Sequence, residues 1–240
     1  MIAEGSEFTV DRDGFAILRG VAGNAEIAAL RTAADAVLRQ ENSGVRSRRG
    51  AGFAARNLLG LSRAIRAFAT GLAIRKLVEP HLGAHAQIVR SVLFDKNSTA
   101  NWLVPWHQDT AIAVRERSSM AGYGPWSVKA GVIHVRPPAE ILERMLTVRV
   151  HLDDAPAQNG ALHVIPGSHR CGLIETDAID AMRRAPGTHV CECGAGDALL
   201  MRPLLLHASY PAANPTRRRV LHFEFAACAL PHPLSWADET

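Results

Sequence analysis

The chain has 240 residues, is 48% hydrophobic and carries a formal net charge of +4. This length and apolar content suffice for one well-cored domain, so we expect a single domain over residues 1–240. Aromatic residues make up only 5% of the chain and do not interleave with its arginine clusters. The composition therefore argues against nucleic-acid binding and favours a small-molecule substrate or cosubstrate, particularly an anionic one.

The sequence also speaks against secretion and membrane insertion. Its first ten residues do not resemble a signal peptide, and no run of about 18 apolar residues occurs. Four cysteines fit no disulfide framework for a chain of this size, and a single CxC pair, Cys191 and Cys193, is a weak metal signal. We expect a cytoplasmic protein with reduced thiols, and the sequence leaves its oligomeric state open.

The N-terminal part, residues 1–85, predicts a layer of helices. A helix is expected from Asn24 to Glu41, because apolar residues recur there at helical spacing, namely Ile27, Leu30, Ala34, Val37 and Leu38. A Gly- and Arg-rich loop is expected over 44–56. The following segment predicts two short helices with breaks near Gly71 and Pro80.

From about residue 86 the pattern changes to short segments rich in β-branched residues, separated by turn signals. The predicted strands are 86–94, 146–154, 161–165, 188–193, 197–201 and 218–227. This pattern is typical of an antiparallel barrel or jelly roll, here over residues 86–227. The predicted fold class is therefore mainly β, with a helical N-terminal layer.

A long Gly- and Pro-punctuated insertion covers residues 111–145. Such an insertion in a β scaffold is either a functional lid or a disordered surface segment. Tyr123, Trp126 and Val132 indicate packing, so we expect a lid. His134 and Trp126, which lie in it, are candidate substrate contacts.

The segment VPWHQDT, residues 104–110, suggests a metal site. On a strand, residues two apart point to the same side, so His107 and Asp109 project together and Gln108 turns away. One imidazole and one carboxylate are two corners of a 2-His-1-carboxylate site. Eleven histidines leave the third corner open. His207 stands out, because the strand–turn–strand before it would carry it back across a barrel, whereas His222 fits a buried, hydrogen-bonded core histidine.

Four motifs in order extend this interpretation: PWHQD (105–109), NGALHVIPGSHR (159–170), GDALLMRPLLLHAS (196–209) and NPTRRRVLHFEF (214–225). Together they resemble the phytanoyl-CoA dioxygenase family over about residues 86–227. The resemblance implies a double-stranded β-helix and an oxygenase that depends on iron(II), 2-oxoglutarate and O2.

The resemblance also implies roles for individual residues. His107, Asp109 and His207 would be the catalytic iron ligands, and Arg218, eleven positions after His207, would bind the distal carboxylate of 2-oxoglutarate. A guanidinium suits that role, because it offers a bidentate fork and stays charged when buried. Ser209 matches a hydroxyl position of the family. Arg217 and Arg219 should point to the opposite side of the strand, onto the surface.

One strand departs from the family pattern. Arg149 and His151 share a face of 146–154 where the family often has a tryptophan and a small residue. Either this face lines a polar cavity, in which Arg149 would contact 2-oxoglutarate or an anionic substrate, or both side chains lie outside. Asn101 and Trp102 are pocket candidates because they lie just before the HxD motif, and Arg56 is a weaker one.

The expected reaction is hydroxylation of an unactivated C–H bond in a small metabolite or biosynthetic intermediate, with succinate and CO2 as coproducts. Desaturation, epoxidation and cyclisation differ only in how the substrate is placed. The alternatives are a cupin-type hydrolase or isomerase and a catalytically silent binding protein. Neither of them gives a reason for Arg218.

Overall fold

The computed structural model of the protein describes residues 7–40, 44–48, 51–213 and 215–237. The helices in these ranges are α1 (Val10–Asp13), α2 (Asn24–Leu38), α3 (Leu58–Leu61), α4 (Arg63–Ala69), α5 (Leu72–Leu82), α6 (Ala139–Glu143) and α7 (Thr176–Arg184). The strands are β1 (Phe15–Leu18), β2 (Val45–Arg48), β3 (Ala51–Arg56), β4 (Gln87–Lys96), β5 (Val104–His107), β6 (Ile112–Val114), β7 (Trp126–Lys129), β8 (Val132–Val135), β9 (Met145–His151), β10 (Leu162–Val164), β11 (His189–Cys191), β12 (Ala198–Met201), β13 (His207–Ser209) and β14 (Arg218–Ala226). None of these helices combines the length and apolar character needed to cross a membrane.

The strands form two main antiparallel sheets and a small third one. The large sheet has the order β1-β12-β9-β14-β4-β3-β2, and the four-stranded sheet has the order β11-β10-β13-β5. All six predicted strand segments are present, with ends that differ by a few residues. Every pairing in both sheets is antiparallel, as expected for the predicted barrel.

The large sheet has one apolar face and one polar face. On β14, Leu221, Phe223 and Phe225 belong to the same buried cluster as the N-terminal helices. The alternate residues of β14 point to the opposite side, into the space between the sheets. That inner face carries Arg218, His222 and Glu224, all buried.

The helical layer covers the apolar face as predicted. Helix α2 buries all five of the residues that predicted it. It ends at Leu38 and is capped by Arg39, so the expected end at Glu41 was too late; Glu41 itself lies outside the described residues.

Two expectations about residues 44–82 were wrong. Residues 44–56 contain strands β2 and β3, which extend the large sheet by pairing Ala54 with Phe94 of β4. A Gly- and Arg-rich composition does not predict strands. The hairpin forms nevertheless, because the edge of β4 supplies hydrogen bonds to β3. Pro80 does not break α5, which continues to Leu82, because a proline in the last turn removes only one helical hydrogen bond.

Of the two arginines on the other face of β14, one does not lie on the surface as expected. Arg217 and Arg219 do point away from the cavity, but Arg219 is not on the surface, since its side chain is only 8% exposed. Its guanidinium binds Asp153 at 2.8 Å and, from α2, Asp35 at 3.0 Å. Arg217 is partly exposed and binds Asp95 at 2.7 Å. Asp35 of the helical layer thus pairs with both arginines, and Asp95 and Asp153 each complete the pairing of one.

The insertion 111–145 is ordered and packed, as its aromatic residues predicted. Strands β6, β8 and β7 form the third sheet, and α6 follows them. Tyr123 and Trp126 pack against a buried cluster that includes Leu230, Leu234 and Trp236 from the C-terminal segment. The insertion therefore shares a core with the end of the chain.

Gly196 tests how closely the turn before β12 packs against the segment that leads into α2. Its φ is +94°, and a Cβ at this position would lie 2.5 Å from the carbonyl oxygen of Ala22. We expect Gly196→Ala to lower the free energy of unfolding by about 1–3 kcal/mol in a urea titration. Gly194→Ala is the matched control, because its Cβ would meet nothing closer than 3.5 Å. Equal stability of the two variants would contradict the expectation.

Candidate metal and cosubstrate site

Two strands of the four-stranded sheet bring the candidate ligands together. In the pairing of β5 with β13, His107 lies directly opposite His207. Asp109 follows β5, and its backbone N–H donates to the carbonyl of Pro203 at 2.9 Å. A register shift between His207 and Ser209 leaves the histidine pair in place while the chain turns beyond it.

Backbone carbonyls fix the orientation of both imidazoles. Nδ1 of His107 lies 2.8 Å from the carbonyl oxygen of Pro105, and Nδ1 of His207 lies 2.9 Å from that of Leu205. Because a carbonyl only accepts, both Nδ1 atoms must carry the proton. Each Nε2 is then free to bind a metal, which is the tautomer that outer hydrogen bonds set in metal sites.

The carboxylate of Asp109 faces both free nitrogens. Its Oδ1 lies 3.7 Å from Nε2 of His107, and its Oδ2 lies 3.7 Å from Nε2 of His207. Two ligands each about 2.1 Å from one ion can lie up to about 4.2 Å apart, so the spacing suits a shared ion. Gln108 turns away as predicted, and its amide binds the backbones of Gly172, Leu204 and Ile174.

The protonation states also suit ligation. Burial lowers the pKa of His207 to about 4, so its imidazole is neutral at pH 7. Burial works against ionisation of Asp109, but the neighbouring histidines outweigh it and hold its pKa well below the usual range. Burial likewise opposes protonation of His107, but Asp109 outweighs it and raises that pKa. A metal binding here would displace any proton on Nε2 of His107, while the proton on Nδ1 stays in the hydrogen bond to the Pro105 carbonyl.

Beside the triad lies a cluster of cations that have no carboxylate partner among the described residues. Arg149, Arg218 and Lys96 are buried on the inner face of the large sheet. Burial and Arg149 lower the pKa of Arg218 to about 10. The Nε atoms of Arg149 and Arg218 are buried without a hydrogen-bond partner in the described part of the chain. Such a cluster is costly unless an anion occupies it.

Lys96 is a member of this cluster that the sequence reasoning missed. It lies opposite Arg218 in the β4–β14 pairing, and its Nζ donates to Oγ of Ser209 at 2.8 Å. Ser209 in turn donates to the carbonyl of Gly160 at 2.9 Å and lies 3.5 Å from Nη2 of Arg218. Burial, Arg218 and Arg149 lower the pKa of Lys96 to about 7. The sequence did offer a signal for Lys96. Arg90, Val92, Phe94 and Lys96 are spaced two apart on β4 and therefore share one face of the sheet.

The structure decides the question left open for Arg149 and His151. Both lie on the inner face, where Arg149 is opposite His222 and His151 is opposite Val220. Burial, then Arg149 and Arg218, lower the pKa of His151 well below its usual range. Both of its ring nitrogens are buried without a hydrogen-bond partner among the described residues. His151 is thus a neutral, polar wall of the cation cluster.

His222 is the buried, hydrogen-bonded histidine that the sequence predicted. Its Nδ1 accepts from Arg149 at 3.0 Å, and its Nε2 donates to Glu224 at 3.1 Å. Glu224 also binds Arg90 at 2.6 Å. Asp109, His222 and Glu224 could also gather round an ion. The triad is the better site, because both nitrogens of His222 and the Oε1 atom of Glu224 already have partners.

The remaining candidate substrate contacts have different surroundings. The amide of Asn101 is used by the backbone of Ala212, at 2.9 and 2.8 Å, which fixes the loop after β13. Trp102 lines a cavity at the edge of the large sheet, whereas Trp126 packs in the insertion under Arg117. His134 is buried and lines a small pocket with Arg56 and Arg90.

Comparison with known proteins identifies the family. The sequence model of the phytanoyl-CoA dioxygenase (PhyH) family matches residues 10–220. The chain belongs to this family. It is therefore an oxygenase that uses iron(II), 2-oxoglutarate and O2, as the four motifs predicted. No curated protein sequence matches the chain significantly.

Solved structures of several proteins share the fold. AviO1 from Streptomyces viridochromogenes Tue57 is 24% identical, with a TM-score of 0.67 over 92% of this chain and 93% of that one. EctD from S. alaskensis, solved with 2-oxoglutarate and 5-hydroxyectoine, is 21% identical, with a TM-score of 0.71 over 91% and 73%. The α-ketoglutarate-dependent epimerase SnoN from nogalamycin biosynthesis is 20% identical, with a TM-score of 0.67 over 96% and 81%. These likenesses confirm the predicted mainly β, jelly-roll fold of the phytanoyl-CoA dioxygenase family.

The chain Arg149–His222–Glu224–Arg90 generates a stability prediction. Glu224→Gln would leave the partly buried Arg90 without its counter-ion, so we expect the free energy of unfolding to fall by about 2–4 kcal/mol, somewhat less than for a fully buried pair. Urea denaturation at pH 7 measures this change. Glu143→Gln, at an exposed position on α6, is the control and should be near neutral. A Glu224→Gln variant as stable as this control would contradict the role of the ion pair.

Proposed function

We propose that His107, Asp109 and His207 hold the catalytic iron(II), and that Arg218 and Lys96 hold the distal carboxylate of 2-oxoglutarate. The observation that carries this proposal is the position of the cation cluster beside the triad. Two buried guanidiniums and a buried lysine, none with a carboxylate partner among the described residues, favour binding of an anion, and 2-oxoglutarate has a carboxylate at each end. One end can reach the cluster while the keto acid end reaches the triad.

The residues around this site would contact 2-oxoglutarate in different ways. Arg218 offers the distal carboxylate a planar fork, and Lys96 adds a point charge that Ser209 keeps in position at 2.8 Å. Arg149 donates to His222 at 3.0 Å, and it is close enough to Asp109 for that carboxylate to raise its pKa against the effect of burial. We infer that Arg149 contacts the cosubstrate rather than the surface, and that His151 adds a neutral hydrogen-bonding wall.

The bound iron and 2-oxoglutarate would supply the oxidising power to attack an unactivated C–H bond, with succinate and CO2 as coproducts. The protein's own contribution is to orient the ligands and to exclude water from the site. The packed insertion 111–145 brings His134 over the inner face, where it lines a pocket with Arg56 and Arg90. We propose hydroxylation of a small metabolite as the reaction.

An anaerobic titration tests the proposed ligands directly. Apo-protein is titrated with iron(II) and then with 2-oxoglutarate, while the visible metal-to-ligand charge-transfer band is followed. We expect the wild type to develop the band, and to bleach it and form succinate when O2 is admitted. His107→Ala and Asp109→Ala should lose the band, because each removes one of the three proposed protein ligands of the ion. His85→Ala, at an exposed position, is the control. A band of normal intensity in Asp109→Ala would contradict the proposed triad.

Lys96 gives a pH-dependent prediction. A lysine whose pKa is about 7 is mostly protonated at pH 6.5 and almost entirely neutral at pH 8.5. Because only the protonated form attracts a carboxylate, the Kd for 2-oxoglutarate should rise severalfold over this interval in iron-saturated protein. Lys96→Met should show a weaker Kd at pH 6.5 and no such rise, whereas exposed Lys76→Met should follow the wild type. An identical pH profile in Lys96→Met would remove Lys96 from the cosubstrate site.

A further inference from the structure

A second cavity opens on the inner face of the large sheet, over strands β2, β3 and β4 at one end of the sheet. Its volume is about 310 Å³. The wall comprises Arg46, Phe53, Ala54, Arg56, Val92, Phe94, Ala100 and Trp102. The cavity is therefore mostly apolar and aromatic, with two arginines and no acidic side chain in its lining.

Arg56 is the polar group that this cavity leaves unsatisfied. Its Nη1 is buried and has no hydrogen-bond partner among the described residues. No carboxylate in the described ranges lies within ion-pair distance of its guanidinium, whereas nearby Arg90 is paired with Glu224 at 2.6 Å. Burial, then Arg90 and Arg46, lower the pKa of Arg56 to about 10. Arg56 is only half-buried, but its buried N–H lacks an acceptor in the described part of the chain and would gain one from a bound anion.

Strand register relates Arg56 to the metal triad. Arg56 lies opposite Val92, and Val92 lies opposite His222, whose imidazole is close to Asp109. Neighbouring strands are about 4.8 Å apart, so the backbone of Arg56 lies about 10 Å from that of His222. A molecule bound at Arg56 would therefore reach toward the triad across Val92 and Phe94.

The aromatic walls of the cavity fit the body of such a molecule. The ring of Trp102 lies 5.4 Å from that of Phe53, at an angle of 56°. Arg46 lies 5.9 Å above the ring of Phe53 and so adds a second positive charge at the rim. Nζ of Lys96, a member of the cation cluster, lies 5.2 Å from the ring of Trp102. The cavity therefore borders the cation cluster.

From these observations, we propose that the primary substrate is a free carboxylic acid with an apolar or aromatic body. Its carboxylate binds Arg56, and its body lies between Trp102, Phe53 and Phe94. The planar guanidinium of Arg56 can donate two parallel hydrogen bonds to a carboxylate, and its buried N–H has no other acceptor among the described residues. The inference rests on the proposed function, because it takes the triad as the reacting centre. It favours the free acid over a coenzyme A thioester, in which the carboxylate is masked.

Calorimetry on the full chain tests the assignment. Protein is saturated anaerobically with iron(II) and 2-oxoglutarate and titrated with 3-phenylpropanoate, 3-phenylpropanamide, the coenzyme A thioester of the same acid, and 2-phenylethyl phosphate. The wild type should bind the acid at least about 30-fold more tightly than the amide or the thioester, because of the three only the acid presents a carboxylate to the Arg56 guanidinium. The charge-transfer band, recorded on each sample, reports separately whether 2-oxoglutarate is bound.

Variants locate the selectivity. Arg56→Met should bind the acid as weakly as the amide while keeping the charge-transfer band, and Arg56→Lys should retain part of the preference. Exposed Arg63→Met is the control for loss of one arginine and should match the wild type. Arg218→Met should lose the band because 2-oxoglutarate no longer binds.

The outcomes separate this inference from the proposed function. Equal affinities for acid and amide, no binding of the acid while the band is intact, or an unchanged preference in Arg56→Met would each overturn the carboxylate assignment. Tighter binding of 2-phenylethyl phosphate than of the acid would overturn it as well. Absence of the band in the wild type would remove the proposed function and, with it, this inference.

Discussion

The pairing of β5 with β13 is the constraint on which the site depends. Only in this register does His107 lie opposite His207, and only then do both Nε2 atoms reach the Asp109 carboxylate at 3.7 Å. Backbone carbonyls two residues earlier fix both rings, so strand geometry alone determines tautomer and direction. A shift by one residue would turn these side chains to the other face of the sheet. The arrangement therefore needs little help from flexible side chains.

The wall of the barrel that faces the metal triad is unusually rich in buried, positively charged side chains. Arg149, Arg218 and Lys96 are buried without a carboxylate partner among the described residues, although a buried arginine on the other face of the same strand, Arg219, is fully paired by Asp35 and Asp153. The contrast separates two uses of arginine. On the helical side, paired guanidiniums join the layers, whereas on the cavity side unpaired ones require a ligand. Stability given up at such positions is a familiar mark of a binding site.

Arg56 extends the same argument to the substrate. It is a further inner-face arginine without a carboxylate partner among the described residues, two strands from His222, and its cavity is lined by three aromatic side chains as well as by Arg46. The two anion sites would then differ in their neighbours. The cation cluster suits the small, doubly charged 2-oxoglutarate, while the Arg56 cavity suits one carboxylate on an apolar body. This difference would keep the cosubstrate and the substrate from exchanging places.

The sequence by itself determined the β-rich core, the helix at Asn24 and the family, because apolar periodicity and four ordered motifs are local properties of the chain. It also indicated His107, Asp109, His207 and Arg218 through the family resemblance. Only the tertiary structure decided the β2–β3 hairpin, whose hydrogen bonds come from the edge of β4. It likewise decided the inward face of Arg149 and His151, and the partnership of Lys96 with Ser209 across 113 residues. Alternation along a strand says which side chains share a face, but the layer packed on each face decides which face is inside.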